Sequence, residues 1–455
     1  MARIAFNPLA RLLLAAHGAL AGLTVDVEDA DSVRAAAALV AEDLMTFYPG
    51  DKPGMTPGIF EAPPNGDYYW WTGGALWGTM LNYRNHTGET KYDETISQGL
   101  VWQIGPNADY MPPNWTMTEG NDDQSSWALS AIAAEEIRFQ EPDQNNTSWL
   151  TIAKNVFDEQ NSDSRRVDDG ECKGALRWQI LSFNNGYDYV NSFSNAGYFN
   201  LAAQLAHLTG NKTYEDAASD TFELLEDIGL ISKEYDVFDG AQVSDCKSIN
   251  KAQFSYPAAL LLQGAAYMYN HTGGDDDWKE RVDGLVSRTL EVFFPNGVAF
   301  EIACEKQGSC DSDMYFYKAL LHRALGSTVA VAPYTADKIL PVLKSSAKSA
   351  AAQCTGGDNG RLCGFEWSTG KFDGTTGPAQ QMGVLEALVS TIPALSAAAG
   401  NGSSSNGTGS GSGSASGAAQ VSTPTTTPGR NMGARAGVSL GAVAGALLLG
   451  SLFIQ

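Results

Sequence analysis

Apolar and polar positions along this chain are arranged in blocks. The segments Trp70–Tyr83, Asp122–Phe139, Ser192–Leu208, Phe254–Tyr269, Met314–Ala324 and Pro378–Ser390 are rich in Gly, Ala and aromatic residues nearly all round. Between them lie Ser32–Phe47, Tyr92–Gln103, Trp149–Glu159, Tyr214–Leu225, Trp278–Val292 and Tyr334–Ser349, each with Lys, Glu and Asp gathered on one side. A helix that is apolar on every side is buried, and an amphipathic helix covers it. The pattern therefore predicts six inner and six outer helices. Strand-like alternation is scarce; "VFDGAQV" at 237–243 is one short hairpin piece.

The junctions repeat. "NHTGETKYDETI", "HLTGNKTYEDAA" and "NHTGGDDDWKERV" each close an apolar segment and open an amphipathic one, with weaker echoes in "NNTSWLTIAKNVF" and "APYTADKILPVL". Their aromatic residues Tyr92, Trp149, Tyr214, Trp278 and Tyr334 are spaced by 57, 65, 64 and 56 residues. A unit of roughly 60 residues holds two helices of ordinary length and two loops. Six such pairs close most simply into a toroid. The expected fold is all-α, an (α/α)6 barrel, with an open solenoid as the alternative. Ser32–Phe47 precedes any inner partner and is expected to close the ring against the last inner helix.

Charge narrows the partners. Lys and Arg number 29 against 52 Asp and Glu, a net of −23, which argues against nucleic acid and anionic membrane surfaces. Aromatics reach 10% and charged residues only 18%, a balance that suits a neutral ligand such as a carbohydrate.

Both ends read as addresses. Arg3 and Arg11, the apolar run Leu12–Leu23 and Ala19-Leu20-Ala21 predict a signal peptide over 1–21. A Gly/Ser/Thr-rich linker over 397–430 follows the 22–396 domain. Asn431-Met432-Gly433 and the apolar tail Val438–Ile454, with nothing charged after it, predict a GPI-anchor signal over 431–455. An ordinary tail anchor is the alternative. The expected location is the outer face of the plasma membrane or the wall beyond it.

Six cysteines fit an oxidising compartment and three disulfides. Short spacing favours Cys304–Cys310 and Cys354–Cys363, which leaves Cys172–Cys246. Zinc is disfavoured: there is no C-x-x-C and only five histidines. No calcium loop is visible, and no metal or cofactor is expected. N-glycosylation sequons begin at Asn85, Asn114, Asn145, Asn146, Asn211, Asn270, Asn401 and Asn406.

The candidate chemistry lies where inner helices begin. In "GNDDQSSWALSAIAAEE" (120–136), Asn121 is the expected N-cap and Asp122 and Asp123 fall in the first turn. Acids there complement the helix dipole, which is reason enough for one aspartate. Two adjacent ones before a buried helix also supply what glycoside hydrolysis needs: one ionised carboxylate and one protonated acid. The helix end favours the ionised form, and a neighbouring negative charge raises the second group. Adjacent helical residues point about 100° apart, so a retaining pair requires the two carboxyl groups to reach ~5–5.5 Å of each other. Asp168-Asp169 reads as an exposed loop and Asp275-Asp276-Asp277 as a cap of an outer helix. Asp311 and Asp313 precede an inner helix and are expected to line the cleft.

"GDYYWWTGGALWGTM" (66–80) crowds Tyr68, Tyr69, Trp70, Trp71 and Trp77 at another inner-helix start. Aromatic walls with a few polar groups suit a sugar, although any one of these rings has core as its ordinary alternative. Gly73-Gly74 and Gly78 allow close helix approach. "ALRWQI" (175–180), with Arg177 and Trp178, and "CGFEWSTGKFDG" (363–374) repeat the mixture of Trp with polar residues. No Ser-His-Asp signature, phosphate loop or dinucleotide fingerprint is present.

Together, "YYWWTGGALWGTMLNY", "TEGNDDQSSWALSAIAAEE", "LRWQI" and "TGNKTYEDAA" resemble glycoside hydrolase family 76, and within it the fungal GPI-anchored mannan endo-1,6-α-mannosidases of the cell wall. The resemblance spans about Asp29 to Ser396. It implies an (α/α)6 barrel and a retaining mechanism on α-1,6-linked mannose, with Asp122 as nucleophile and Asp123 as general acid/base. Substrate contacts are expected from Tyr69, Trp70, Trp71, Trp77, Asn121, Arg177, Trp178 and Asp313. For the membrane-bound fungal members it further implies wall assembly: a monomer transfers an α-mannoside glycan, the GPI core of a wall protein, to a β-glucan acceptor. Plain hydrolysis of α-1,6-mannan, or non-catalytic mannan binding, are the alternatives. Thr72-Gly73-Gly74, Asn82 and Pro257-Ala258 depart from the family pattern.

Overall fold

The computed structural model describes residues 22–142 and 147–395. The signal-peptide, linker and anchor expectations, and the sequons at 145, 146, 401 and 406, lie outside these residues. Among the described residues twelve α-helices alternate between outer and inner positions. The outer set is α1 (Ala30–Met45), α3 (Asp93–Trp102), α5 (Trp149–Asn161), α7 (Lys212–Ile228), α9 (Asp276–Phe293) and α11 (Ala336–Ala352). The inner set is α2 (Trp71–Thr87), α4 (Asn121–Glu136), α6 (Ser192–Thr209), α8 (Ser255–His271), α10 (Tyr317–Val331) and α12 (Pro378–Val389). Each inner helix packs on the next, and α12 returns to α2. The protein is an all-α (α/α)6 barrel, and α1 packs on α12 to close the outer layer as expected.

The repeated junctions have a common physical basis. Thr87, Thr209 and Thr272 each donate a hydroxyl to the carbonyl four residues back, at 2.7, 2.6 and 2.8 Å. A left-handed glycine then ends the turn: Gly88 (φ 75°), Gly210 (φ 66°) and Gly273 (φ 73°). The outer helix restarts on a side-chain cap, Asn211 for α7 and Asp275 for α9. These turns lie at the C-terminal ends of the inner helices. The exposed sequon residues Asn85, Asn211 and Asn270 are therefore on that face.

The seam between the last and first inner helices is held by a buried polar network. Glu386 on α12 accepts from Arg323 Nε on α10 at 2.8 Å and from Asn82 Nδ2 on α2 at 2.6 Å. Arg323 also donates to the Ala75 carbonyl and the Thr79 hydroxyl. Asn82 thus has a place in ring closure.

Two features differ from the expectation. The inner segment predicted from Met314 begins as a 3-10 turn, Met314–Phe316, before α10 proper. The hairpin piece belongs to a three-stranded antiparallel sheet of β1 (Tyr189–Asn191), β2 (Gly240–Gln242) and β3 (Asp245–Asn250), in that order. β1 runs directly into α6. Cys172–Cys246 ties the preceding loop to β3, and Cys304–Cys310 and Cys354–Cys363 complete the expected pairing.

Candidate active site

The N-terminal ends of five inner helices and the loops feeding them line a cleft of about 550 Å³. Tyr69, Trp70 and Trp71 come from the start of α2, and Thr118, Glu119, Asp122 and Asp123 from the start of α4. Asn191 and Phe193 come from α6, Tyr256 from α8, and Asp313 and Tyr317 from α10. Trp115, Trp178, Gln179, Tyr189 and Asp239 complete the wall from the loops and the small sheet. A second cavity of about 180 Å³ lies further along the barrel, and Tyr256 borders both. The Asp122–Asp123 pair is in the larger one, and Glu136 borders the smaller.

Local sequence fixes the pair. Gly120 is extended (φ −92°, ψ 165°) and precedes the first helical residue. Its N–H donates to Asp123 Oδ2 at 2.6 Å, so Asp123 reaches back over the helix end. The Asp123 N–H in turn donates to Asp122 Oδ1 at 3.1 Å. The "LRWQI" strip docks alongside: Asn121 N–H donates to the Trp178 carbonyl at 2.8 Å, and Gly120 bridges Gln179.

Electrostatics separates the two groups. Burial pushes Asp122 up to about 7, against the pull of the backbone N–H groups of Asp123 and Asp122 and of Asn191, with Asp313 pushing further up. The helix end thus moderates the rise but does not hold Asp122 in the usual carboxylate range. Asp123 is raised well above that range by burial and by the Asp122 charge, which the Gly120 N–H only partly offsets. Asp122 is accordingly the group that ionises more readily, and Asp123 the one that keeps its proton.

Aromatic rings wall the site. Trp71 stacks on Tyr256 (centroids 5.9 Å, 15°) and donates its Nε1–H to Asp313 Oδ1 at 3.0 Å. Burial raises Asp313 to about 6, the Trp71 bond lowers it and Asp311 adds to the rise. Tyr69, 55% exposed, stands at the rim, and Trp178 crosses Tyr189 edge to face. Asp239 accepts from Tyr189 Oη at 2.6 Å and from Asn250 at 2.8 Å.

Of the residues expected in the site, Tyr69, Trp70, Trp71, Trp178, Asp122, Asp123 and Asp313 line the cleft. Three do not. Trp77 is fully buried, edge-on to Tyr48, with its Nε1–H on the Gly58 carbonyl; about 1.7 turns beyond Trp71 on α2, its ring lies against Gly99 of the outer helix α3. Arg177 is turned away and lies over the Tyr187 ring at 4.4 Å, with Nε on the Arg166 carbonyl. Asn121 is the first helical residue rather than the cap; its buried amide donates to the Arg177 carbonyl and accepts from Arg165 Nη1. Trp70 touches the cleft but spends most of its ring on Trp127, 5.0 Å away. Sequence reasoning missed Glu119, Asn191, Phe193, Tyr256 and Tyr317, all beside inner-helix starts, where that position was itself a signal. Asp239 and Tyr189 carried none, because the small sheet brings them in.

An (α/α)6 barrel with adjacent buried carboxyl groups at an inner-helix end, in an aromatic-walled cleft, has the parts that glycoside hydrolysis uses. The chain belongs to glycosyl hydrolase family 76, whose family model matches residues 32–399. It is 40% identical to the mannan endo-1,6-alpha-mannosidase DCW1 of Saccharomyces cerevisiae over 371 residues, 81% of this chain and 80% of that one. The DFG5 mannan endo-1,6-alpha-mannosidase of Candida albicans is 38% identical over 389 residues, 84% of each chain. Among solved structures, Dfg5 from Chaetomium thermophilum in complex with glucosamine is 45% identical, with a TM-score of 0.78 over 81% of this chain and 92% of that one. The GH76A alpha-1,6-mannanase from Salegentibacter sp. HEL1_6 shares the fold at 15% identity, with a TM-score of 0.62 over 80% and 99% of the two chains.

Proposed function

We propose that this glycoside hydrolase is a retaining, endo-acting α-1,6-mannosidase that works as a transglycosidase in fungal wall assembly, held at the outer membrane face by a GPI anchor. The observation that carries the reading is the Asp122–Asp123 pair, one carboxyl group more readily ionised than its neighbour. The activity named for the DCW1 and DFG5 relatives supports the choice of substrate. Asp122 attacks the anomeric carbon; the glycosidic C–O bond breaks, and Asp123 gives its proton to the departing oxygen. In the second half, a hydroxyl oxygen bonds to that carbon, its proton passes to Asp123, and the bond to Asp122 breaks. The acceptor we assign is a β-glucan hydroxyl. Water in that place gives plain mannan hydrolysis, the second reading.

The test is turnover of α-1,6-mannotetraose by the purified protein, with and without a β-glucan oligosaccharide, read by product mass. We expect mannosyl-glucan adducts from wild type. Asp122→Asn and Asp123→Asn should each lose at least ~10³-fold in rate, as removal of a covalent or acid/base group does. Shorter mannosides alone would select hydrolysis. Undiminished turnover by both variants would overturn the assignment of the pair.

A further inference from the structure

Five carboxyl groups line the cleft, and the protein satisfies four of them. Asp122 and Asp123 accept from backbone N–H groups, Asp313 accepts from Trp71 and Asp239 from Tyr189 and Asn250. Glu119 is the exception. It is 1% exposed, lines the cleft, and neither carboxyl oxygen has a hydrogen-bond partner among the described residues. A buried polar group left without a partner is destabilising, so its retention beside a ligand cleft needs a reason. The nearest cation does not supply one. Arg165 is already engaged by Glu159 at 3.0 Å and by Asn121 at 2.7 Å.

The surroundings fix its protonation state. Burial carries Glu119 up to about 9; Asp123 adds to the rise, Arg165 opposes it and Asp109 adds again. A neutral carboxylic acid offers one O–H donor and a carbonyl acceptor side by side. That is the complement of a sugar hydroxyl, or of two neighbouring ones, and it does not suit a charged ligand. Gly120, the residue after Glu119, donates its N–H to Asp123 Oδ2, and the Asp123 charge acts on Glu119. The side chain therefore stands on the flank of the group that we assign as acid/base, where the leaving or incoming sugar sits.

We infer that Glu119 is a hydroxyl-binding residue for the sugar on the Asp123 side of the scissile bond, and that it favours a sugar acceptor over water. This inference rests on the transglycosidase reading above. It concerns the partition of the glycosyl-enzyme between acceptors and not the chemistry of bond cleavage.

The variants are Glu119→Gln, which keeps the shape with one donor and one acceptor, and Glu119→Ala, which removes both. With α-1,6-mannotetraose, the ratio of transfer to hydrolysis products should fall about tenfold in Glu119→Ala, the effect of losing one such hydrogen bond. Glu119→Gln should stay within about threefold of wild type in that ratio, and kcat/KM for cleavage should fall about tenfold in Glu119→Ala, where the leaving sugar is held less well. Binding of α-1,6-mannotriose, measured by calorimetry, should weaken about tenfold in Glu119→Ala and hold in Glu119→Gln. Neither variant should melt below wild type, because the carboxyl group has no protein partner to lose. An unchanged product ratio and affinity in Glu119→Ala, or a melting temperature that falls together with affinity in both variants, would overturn the inference. If wild type binds mannotriose but turns nothing over, the proposed function fails, and calorimetry alone then decides Glu119. If wild type neither binds nor turns over the sugar, both fail.

Discussion

Asp122 and Asp123 differ because of what each one accepts. Asp122 receives N–H groups and the Asn191 amide, all of which favour its ionised form; Asp123 receives one N–H and faces the Asp122 charge. If Asp122 must be ionised to attack, kcat/KM will fall as the pH drops through about 7, where Asp122 takes up its proton. Asp313 sharpens the test. Its charge raises Asp122, and its own group, at about 6, is largely ionised across that limb. Asp313→Asn keeps an oxygen for the Trp71 Nε1–H but removes the charge. Its acid limb should therefore move to lower pH, by a few tenths to about one unit. An unmoved or raised limb in the pH profile would separate Asp313 from the pair.

Helices α2 and α4 show why the Gly-rich segment starts an inner helix. A Cβ on Gly73 would lie 2.3 Å from the Gly58 carbonyl oxygen and 2.8 Å from the Trp127 ring, and one on Gly74 would lie 3.0 Å from the Ser126 backbone. Ser130 then donates to the Gly74 carbonyl at 2.7 Å. In Gly73→Ala, intrinsic helix preference favours the variant by ~1 kcal/mol, but the clash is with a carbonyl and a packed indole that have nowhere to move. We expect a net loss of about 1–3 kcal/mol, read as a lower denaturation midpoint at unchanged m. A more stable variant would mean that the two helices can part. This contact was legible in the sequence, as were the twelve helices, because Gly, Ala and aromatic residues mark close-packed inner segments and the T-G junctions mark their ends. Trp77 and Arg177 were misplaced for one reason: composition locates a segment, whereas the side of the helix or strip that faces the cleft depends on phase. Asn121 was misread because Gly120, without a side chain to cap, stands in the capping position while Asp123 supplies the reciprocal bond. Asp239 depends on a sheet whose strands are three to six residues long, too short for alternation to show.

The molecule as a whole carries a net charge of −23 and several carboxyl groups drawn into low-dielectric surroundings. Burial raises Glu119 to about 9, Asp122 and Glu301 to about 7 and Asp313 to about 6, and it raises Asp123, Asp109, Glu305 and Glu386 as well. A carboxyl group raised on folding binds its proton in the native state where the unfolded chain, near 4, has released it. Stability is then favoured at low pH and lost as the pH rises from the unfolded value through the folded one. His86 and His322 act in the opposite sense, since burial pulls both down to about 4 and the native state resists protonation below about 6.5. The raised carboxyl groups outnumber these histidines, and acidification also relieves the self-repulsion of the negative surface. Melting temperatures at constant ionic strength should therefore rise from pH 8 to about pH 5. Glu119→Gln should flatten that slope across the whole range, because the carboxyl group it removes is protonated in the native state and ionised in the unfolded chain from about 4.5 to about 9. A protein most stable near pH 8 would show that the histidines, not the buried carboxyl groups of the cleft and core, govern its proton linkage.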